Sequence, residues 1–258
     1  MQAAKPVEIK RHKRYELLDS FRGLVLISMI LFHACWDMVY IFDMKWDWYK
    51  GAGAYAWQQS ICWSFILLSG FCWSLGKRHL RRGLLVFGAG AVISIVTIFL
   101  MPENRVVFGV LTMLGTCMLL MIPLERWLRK IPSVAGFAIM MLLFVCMKNV
   151  NTGYLGFEGL NLLKLPDFLY RGSIMTFLGF TDPEFYSTDY FTPIPWSFLF
   201  LSGYYIYRMI EKKDFMEKYF SKGCKALSFF GRHSLVIYMV HQPVIYGLLL
   251  ALRRFHFF

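Results

Sequence analysis

Seven long apolar blocks limit what this chain can fold into more than any other feature. They occupy residues 21–42, 55–75, 83–101, 106–124, 133–147, 191–210 and 232–252. Most reach the roughly 20 residues an α-helix needs to cross a bilayer. In lipid the backbone polar groups must be satisfied inside the element itself, so such blocks fold as helices. Only 17% of the residues are charged, against about 25% in ordinary soluble domains. The sequence therefore predicts an all-α, polytopic transmembrane helix bundle. It forms a single domain over 1–258, with no room for a separate soluble one. A shorter stretch at 168–180 holds Arg171 and reads as an interfacial or re-entrant helix; seven spans become eight if it crosses. The first block follows a polar, basic tail and precedes no small-residue cleavage site, so it reads as a span and not as a removed signal peptide.

Charge sets the expected orientation. With the N-terminus in the cytoplasm and seven spans, the basic tail 1–16, Lys77/Arg78/Arg81/Arg82, Arg126/Arg129/Lys130 and the cations of 208–225 fall on one side. Together with Arg22 and Arg232, that side holds 20 of the 28 Lys and Arg, while the acids divide 7 to 9. The cytoplasmic side then carries +13 and the other −1 of the net +12, which is the positive-inside pattern. The same distribution argues against nucleic acid as a partner, because the cations flank membrane helices instead of lining a groove. Membrane lipids are the expected surroundings, and a homodimer is left open.

The six cysteines are scattered through apolar segments, with no CxxC pair and no Cys/His ligand spacing. Neither a metal site nor a disulfide framework is expected. One internal echo stands out: Trp63-Ser64-Phe65-Ile66-Leu67-Leu68-Ser69-Gly70 matches Trp196-Ser197-Phe198-Leu199-Phe200-Leu201-Ser202-Gly203 at six of eight positions. Interface tryptophans and small packing residues account for it simply. A parallel repeat of the transporter kind is the alternative.

Ionisable groups inside lipid are costly and mark function by default. The first helix carries His33 and Asp37, four residues apart and on one face. A carboxylate beside an imidazole fixes its tautomer and raises its basicity, as a general base or acyl-accepting His requires. The plainer alternative is a His bonded to a neighbouring helix, with Asp37 solvated at the rim. Asp19 and Arg22, three apart at the cytoplasmic mouth, form an interfacial ion pair or present Arg22 to an anionic ligand. In the last helix His241 and Gln242 precede Pro243 at mid-membrane, where an unpaired imidazole must pair or line a wet cavity. The region 149–190 is the longest loop, expected outside the cytoplasm. Its acids, Asp182 and Glu184 among them, face a cationic or hydroxyl-rich acceptor or are merely solvated.

At these residues a resemblance enters. Arg14-Tyr15-Glu16-Leu17-Leu18-Asp19-Ser20-Phe21-Arg22-Gly23, then Leu31-Phe32-His33 with Trp36-Asp37, resembles the opening of the heparan-α-glucosaminide N-acetyltransferase catalytic-domain family. The run from Gly231-Arg232-His233-Ser234-Leu235 through His241-Gln242-Pro243 is similar to that family's last helix. Together they cover about a fifth of the chain and bracket it in the expected order. The opening Arg22-Gly23 followed by Leu-Phe-His is also similar to the acyltransferase-3 type.

The resemblance implies acetyl transfer across a bacterial inner membrane, from cytoplasmic acetyl-CoA to the nitrogen or oxygen of an extracytoplasmic amino sugar or glycan. A transporter or flippase with a buried His is the rival. On this reading His33 and Asp37 are catalytic. Arg14, Asp19, Arg22, Arg78, Arg82, Arg232, His241 and Gln242 serve the cofactor, and Trp36, Asp182 and Glu184 serve the acceptor, with no metal. One departure stands. The lysosomal members place a catalytic His on the loop after the first helix and an Asn at the position of His33. Here that loop reads Asp43-Met44-Lys45-Trp46-Asp47 and has none: either His33 takes over the role with Asp37, or the family's mechanism does not carry over to this member.

Overall fold

The computed structural model describes residues 15–255; Arg14 lies outside them. Each of the seven apolar blocks contains a helix: α1 (Glu16–Tyr40), α2 (Ala52–Phe71), α3 (His79–Leu100), α4 (Val110–Leu128), α5 (Ser133–Cys146), α7 (Pro193–Ile210) and α10 (Ser234–Arg254). Four of them, α1, α3, α4 and α10, are long and apolar enough to cross a membrane. Helix α5 is apolar but has only 14 residues. The remaining helices are short: α6 (Ser173–Leu178), α8 (Lys213–Phe220) and α9 (Lys225–Arg232). With six residues, α6 extends about 9 Å and cannot cross a bilayer.

Local chemistry sets several ends. Asp43 takes a left-handed conformation (φ 57°) just past α1, and the Met44 N–H returns to the Met38 carbonyl at 2.9 Å. That is the bond which closes a helix C-terminus. Proline at the start of α7 uses a position where the missing N–H costs nothing.

The main core joins α2, α4, α5 and α7 around Ile66, Met113, Phe144, Trp196, Leu199, Phe200 and Tyr204. Here the sequence echo finds its structural use. A Cβ on Gly70 would strike the Phe200 carbonyl, and one on Gly203 would strike the Leu67 carbonyl. Gly70 and Gly203 occupy the same place in the echo, as do Leu67 and Phe200, so the two copies clasp each other through their missing side chains. Further along, Phe71 meets Tyr207 and Trp73 meets Tyr204, so α2 and α7 run side by side in one direction. Small residues that let backbones touch are how membrane helices gain packing energy. Glycines also join α1 to α9, where Gly23 meets the Leu227 carbonyl and Gly231 the Asp19 carbonyl.

One element departs from the all-helical expectation. Strands β1 (Tyr154–Phe157) and β2 (Leu160–Lys164) form an antiparallel hairpin in the loop after α5. Its two-residue turn places Glu158 at φ 50°, and residue pairing skips Leu162, which bulges from β2.

Candidate active site

Helix α1 brings His33 and Asp37 to one level of the bundle, and α10 brings His241 and Gln242 to meet them. The rings of His33 and His241 lie 4.9 Å apart at 59°. Asp37 is completely buried, and its Oδ1 accepts a 2.5 Å bond from Gln242 Nε2. Neither Asp37 oxygen bonds His33: one takes Gln242 and the other, Oδ2, has no partner. The i, i+4 spacing thus puts the two residues on one face, but the carboxylate turns across the interface to α10. His33 is paired instead with the second imidazole.

His241 is held in a defined tautomer. Its Nδ1 lies 2.5 Å from the Tyr238 carbonyl, and a carbonyl only accepts, so Nδ1 carries the hydrogen. Nε2 of the neutral ring is then a bare lone pair, buried and without a partner. Pro243 follows within α10; lacking an N–H, it leaves the Met239 carbonyl without its helical donor. Gln242 Oε1 is also buried and unpartnered. Three unpaired polar atoms from one cluster are expensive where polar groups normally find partners, and such clusters mark sites that a ligand completes. The wall beside them is aromatic. Phe32 packs on Tyr49 and Trp57, the Tyr49 hydroxyl donates to the Phe32 carbonyl at 2.9 Å, and Trp57 Nε1 donates to Ser28 Oγ at 2.8 Å.

A second, basic region lies toward the start of α10. A cavity of about 310 Å³ is lined by Lys77, Arg78, Arg81 and Arg82, over a floor of Leu85, Val86, Met118 and Leu235. Arg82 fills the space above Gly76. Arg22 bonds Asp19 at 3.2 Å and lies against Cys72 at the end of α2, within electrostatic range of Arg82. Leu235 is six residues before His241, about 9 Å along the helix axis, so α10 connects the basic cavity to the histidine pair.

The family comparison adds to this geometry. The family described as heparan-alpha-glucosaminide N-acetyltransferase, catalytic, matches residues 14–243. This chain belongs to that family. The match spans both halves of the site and ends one residue past Gln242, so the α1–α10 meeting point lies within the family's own domain. No curated relative and no solved structure matches the chain. The family is one of acetyltransferases, and the apolar helices of this member make it a membrane protein.

The other expected site residues of this family member make contacts of their own. Arg232 is exposed and donates to the Ser228 carbonyl at 3.2 Å. Trp36 meets Tyr40 at 5.2 Å in a tilted pair and packs in one cluster with Tyr49 and Trp57, so it belongs to the aromatic wall. Asp182 is occupied by its own loop: Oδ2 accepts from Gly172 N at 2.9 Å and Oδ1 from Glu184 N at 3.1 Å. Those two N–H groups hold its carboxyl below the usual range. Glu184 is exposed beside it.

Asp189 is another acid of the 149–190 loop. The structure puts it at the start of α4, where Oδ2 accepts from Val110 N at 3.2 Å. Burial pushes its pKa up to about 6 against the opposing pull of that N–H. A further polar knot ties the loop to the bundle: Tyr55 donates to Glu158 at 2.5 Å, and Lys148 pairs with Glu158 at 3.4 Å. Glu158 lies 10 residues from Lys148 but 103 from Tyr55, and no spacing rule links the three.

Proposed function

We propose that the protein moves an acetyl group from cytoplasmic acetyl-CoA to an amino sugar or glycan on the other side of a bacterial inner membrane. Helices α1, α2, α3, α4, α5, α7 and α10 cross in this reading, with the N-terminus in the cytoplasm. The positive-inside pattern supports it, as does the gathering of Asp19, Arg22, Arg82 and the basic cavity at one end of the bundle. The observation that carries the reading is the pairing of His33 with His241 beside the Asp37–Gln242 bond, inside a chain of this family.

The basic cavity fits the polyanionic end of CoA. Four cations surround an apolar floor, and guanidinium groups suit phosphate bidentately. Arg78, Arg81, Arg82 and Lys77 would hold the phosphates, with Arg22 near the same mouth. Bound there, acetyl-CoA supplies the activated acetyl thioester. The chain's own groups do the rest. The bare Nε2 of His241 would take the proton from the acceptor's amine or hydroxyl as that nitrogen or oxygen bonds the acetyl carbon, and would return it to the CoA thiolate released when the thioester C–S bond breaks. His33, facing it, is the base or transient acetyl carrier at the reacting centre. Asp37 Oδ2 and Gln242 Oε1, both lacking donors, accept hydrogen bonds from the acceptor and orient it. A buried carboxylate also stabilises the imidazolium that forms.

Acetyl-CoA added to the purified protein should raise its thermal midpoint in detergent, and its dephospho analogue, which lacks one phosphate, should do so less. Absence of any stabilisation by acetyl-CoA would favour the transporter reading, because a transporter has no reason to recognise CoA.

A further inference from the structure

The loop hairpin carries a surface that the fold leaves uncovered. Leu160, Leu162 and Leu163 of β2 are 60%, 64% and 59% exposed, and Phe168 and Ile174 beyond it are 71% and 77% exposed. Five large apolar side chains within 15 residues are far more than the scattered surface hydrophobes of a solvated loop. Two cations border them: Lys164, paired with Asp167 at 3.1 Å, and exposed Arg171.

The position of the hairpin identifies its partner. With 14 residues, α5 extends about 21 Å, some 9 Å less than the roughly 30 Å hydrocarbon core. Its side chains Val134 and Leu142 are exposed at 69% and 63%, as a lipid-facing stripe would be. The hairpin starts at Tyr154, with seven residues between it and the end of α5 at Cys146, and is stitched back to that end. Met147 pairs with Gly156, and Asn149 Nδ2 donates to the Glu158 carbonyl at 2.7 Å and the Leu160 carbonyl at 3.2 Å. It cannot swing away from the depth at which α5 stops. The apolar stripe of α5 therefore continues into the leucines of β2 at the level of the headgroups, with Lys164 and Arg171 at the height where cationic side chains reach the polar layer.

We propose that the β1–β2 hairpin is an interfacial membrane anchor, its β2 leucines seated in the lipid of the leaflet where α5 ends. The partner is the bilayer surface itself. Seated there, the hairpin fixes the Lys148–Glu158–Tyr55 knot and holds the loop close to the membrane plane. This rests on reading α5 as a span.

The test uses the full chain at one copy per lipid nanodisc, so that no second copy can cover the hairpin. Leu142→Cys, Leu162→Cys and Glu184→Cys variants are treated with a water-soluble maleimide, and modification is followed by peptide-resolved mass spectrometry. The thiols of L142C and L162C should both react at least about tenfold more slowly than that of the exposed E184C, as interfacial burial requires. Slow L142C with L162C as fast as E184C overturns the anchor and leaves the α5 span standing. Fast L142C overturns the span, and the anchor with it. Protection of L162C only in densely packed proteoliposomes assigns the surface to a second copy and also overturns the anchor.

Discussion

Gln242 of α10 donates its side-chain amide to the buried carboxylate of Asp37 on α1 at 2.5 Å, fastening the last helix to the first at the level of the paired histidines. Two consequences follow, one for stability and one for turnover. Removing Gln242 leaves both Asp37 oxygens buried without a donor, and a buried group stripped of its bond costs about 1–3 kcal/mol, more when charged. Gln242→Leu should therefore lower the thermal midpoint in detergent and reduce acetyl transfer. Gln242→Glu should be worse, since two carboxylates would share one dry interface. Asp37→Asn in the Gln242→Leu background should recover much of the stability but not the activity. Differential scanning fluorimetry beside a turnover assay separates the two effects.

The basic cavity predicts a binding phenotype and not a chemical one. Arg82→Ala and Arg78→Ala should each raise the KM for acetyl-CoA about tenfold, in line with about 1.5–3 kcal/mol for a charge-assisted bond, and leave kcat within a factor of a few. The loss should shrink as salt screens the remaining cations. Initial rates against acetyl-CoA at two ionic strengths give the result.

The reciprocal glycines make the α2–α7 clasp a sharp target. Gly70→Leu or Gly203→Leu drives a side chain into the opposing backbone carbonyl, which no rotamer avoids. Either variant should fail to accumulate as a monodisperse protein. Gly53→Leu on the same helix α2 meets open space and should behave as wild type. Size-exclusion profiles of the three variants settle the comparison.

Asp189 gives a pH signature. Burial raises its pKa in the folded protein to about 6, above its unfolded value of about 3.9. The stability tied to this group is thus fully present below about pH 4 and is lost as pH rises through 6. Asp189→Asn keeps an oxygen for the Val110 N–H and removes the charge. It should match wild type near pH 4 and become the more stable protein, by about 3 kcal/mol, above pH 7. Thermal midpoints of both proteins from pH 4 to 8 show whether the curves diverge in that direction.

The helices were readable because lipid imposes a single rule on backbone polar groups, and long apolar blocks are its direct trace. Residue types at i, i+4 also placed His33 and Asp37 on one face. The sequence did not reveal which neighbour each would choose, because Gln242 reaches Asp37 across 205 positions. The hairpin was missed for a different reason: Tyr154–Phe157 and Leu160–Lys164 are short and apolar, and their strand state follows from the Glu158-Gly159 turn and the Asn149 bonds. The echo of Trp63–Gly70 in Trp196–Gly203 was visible, but its meaning as a mutual clasp needed the two helices side by side. Asp189 looked like any other loop acid until its place against the start of α4 was seen.

The central claim is that acetyl transfer runs through His33 where it faces His241. The direct measurement is the rate of labelled acetyl transfer from acetyl-CoA to glucosamine by the reconstituted wild type and by His33→Ala, both shown to be folded by their elution and thermal midpoint. The account predicts a loss of about 10²–10⁴-fold, the range for a positioned acid–base group. Unchanged turnover in the folded His33→Ala protein would contradict it.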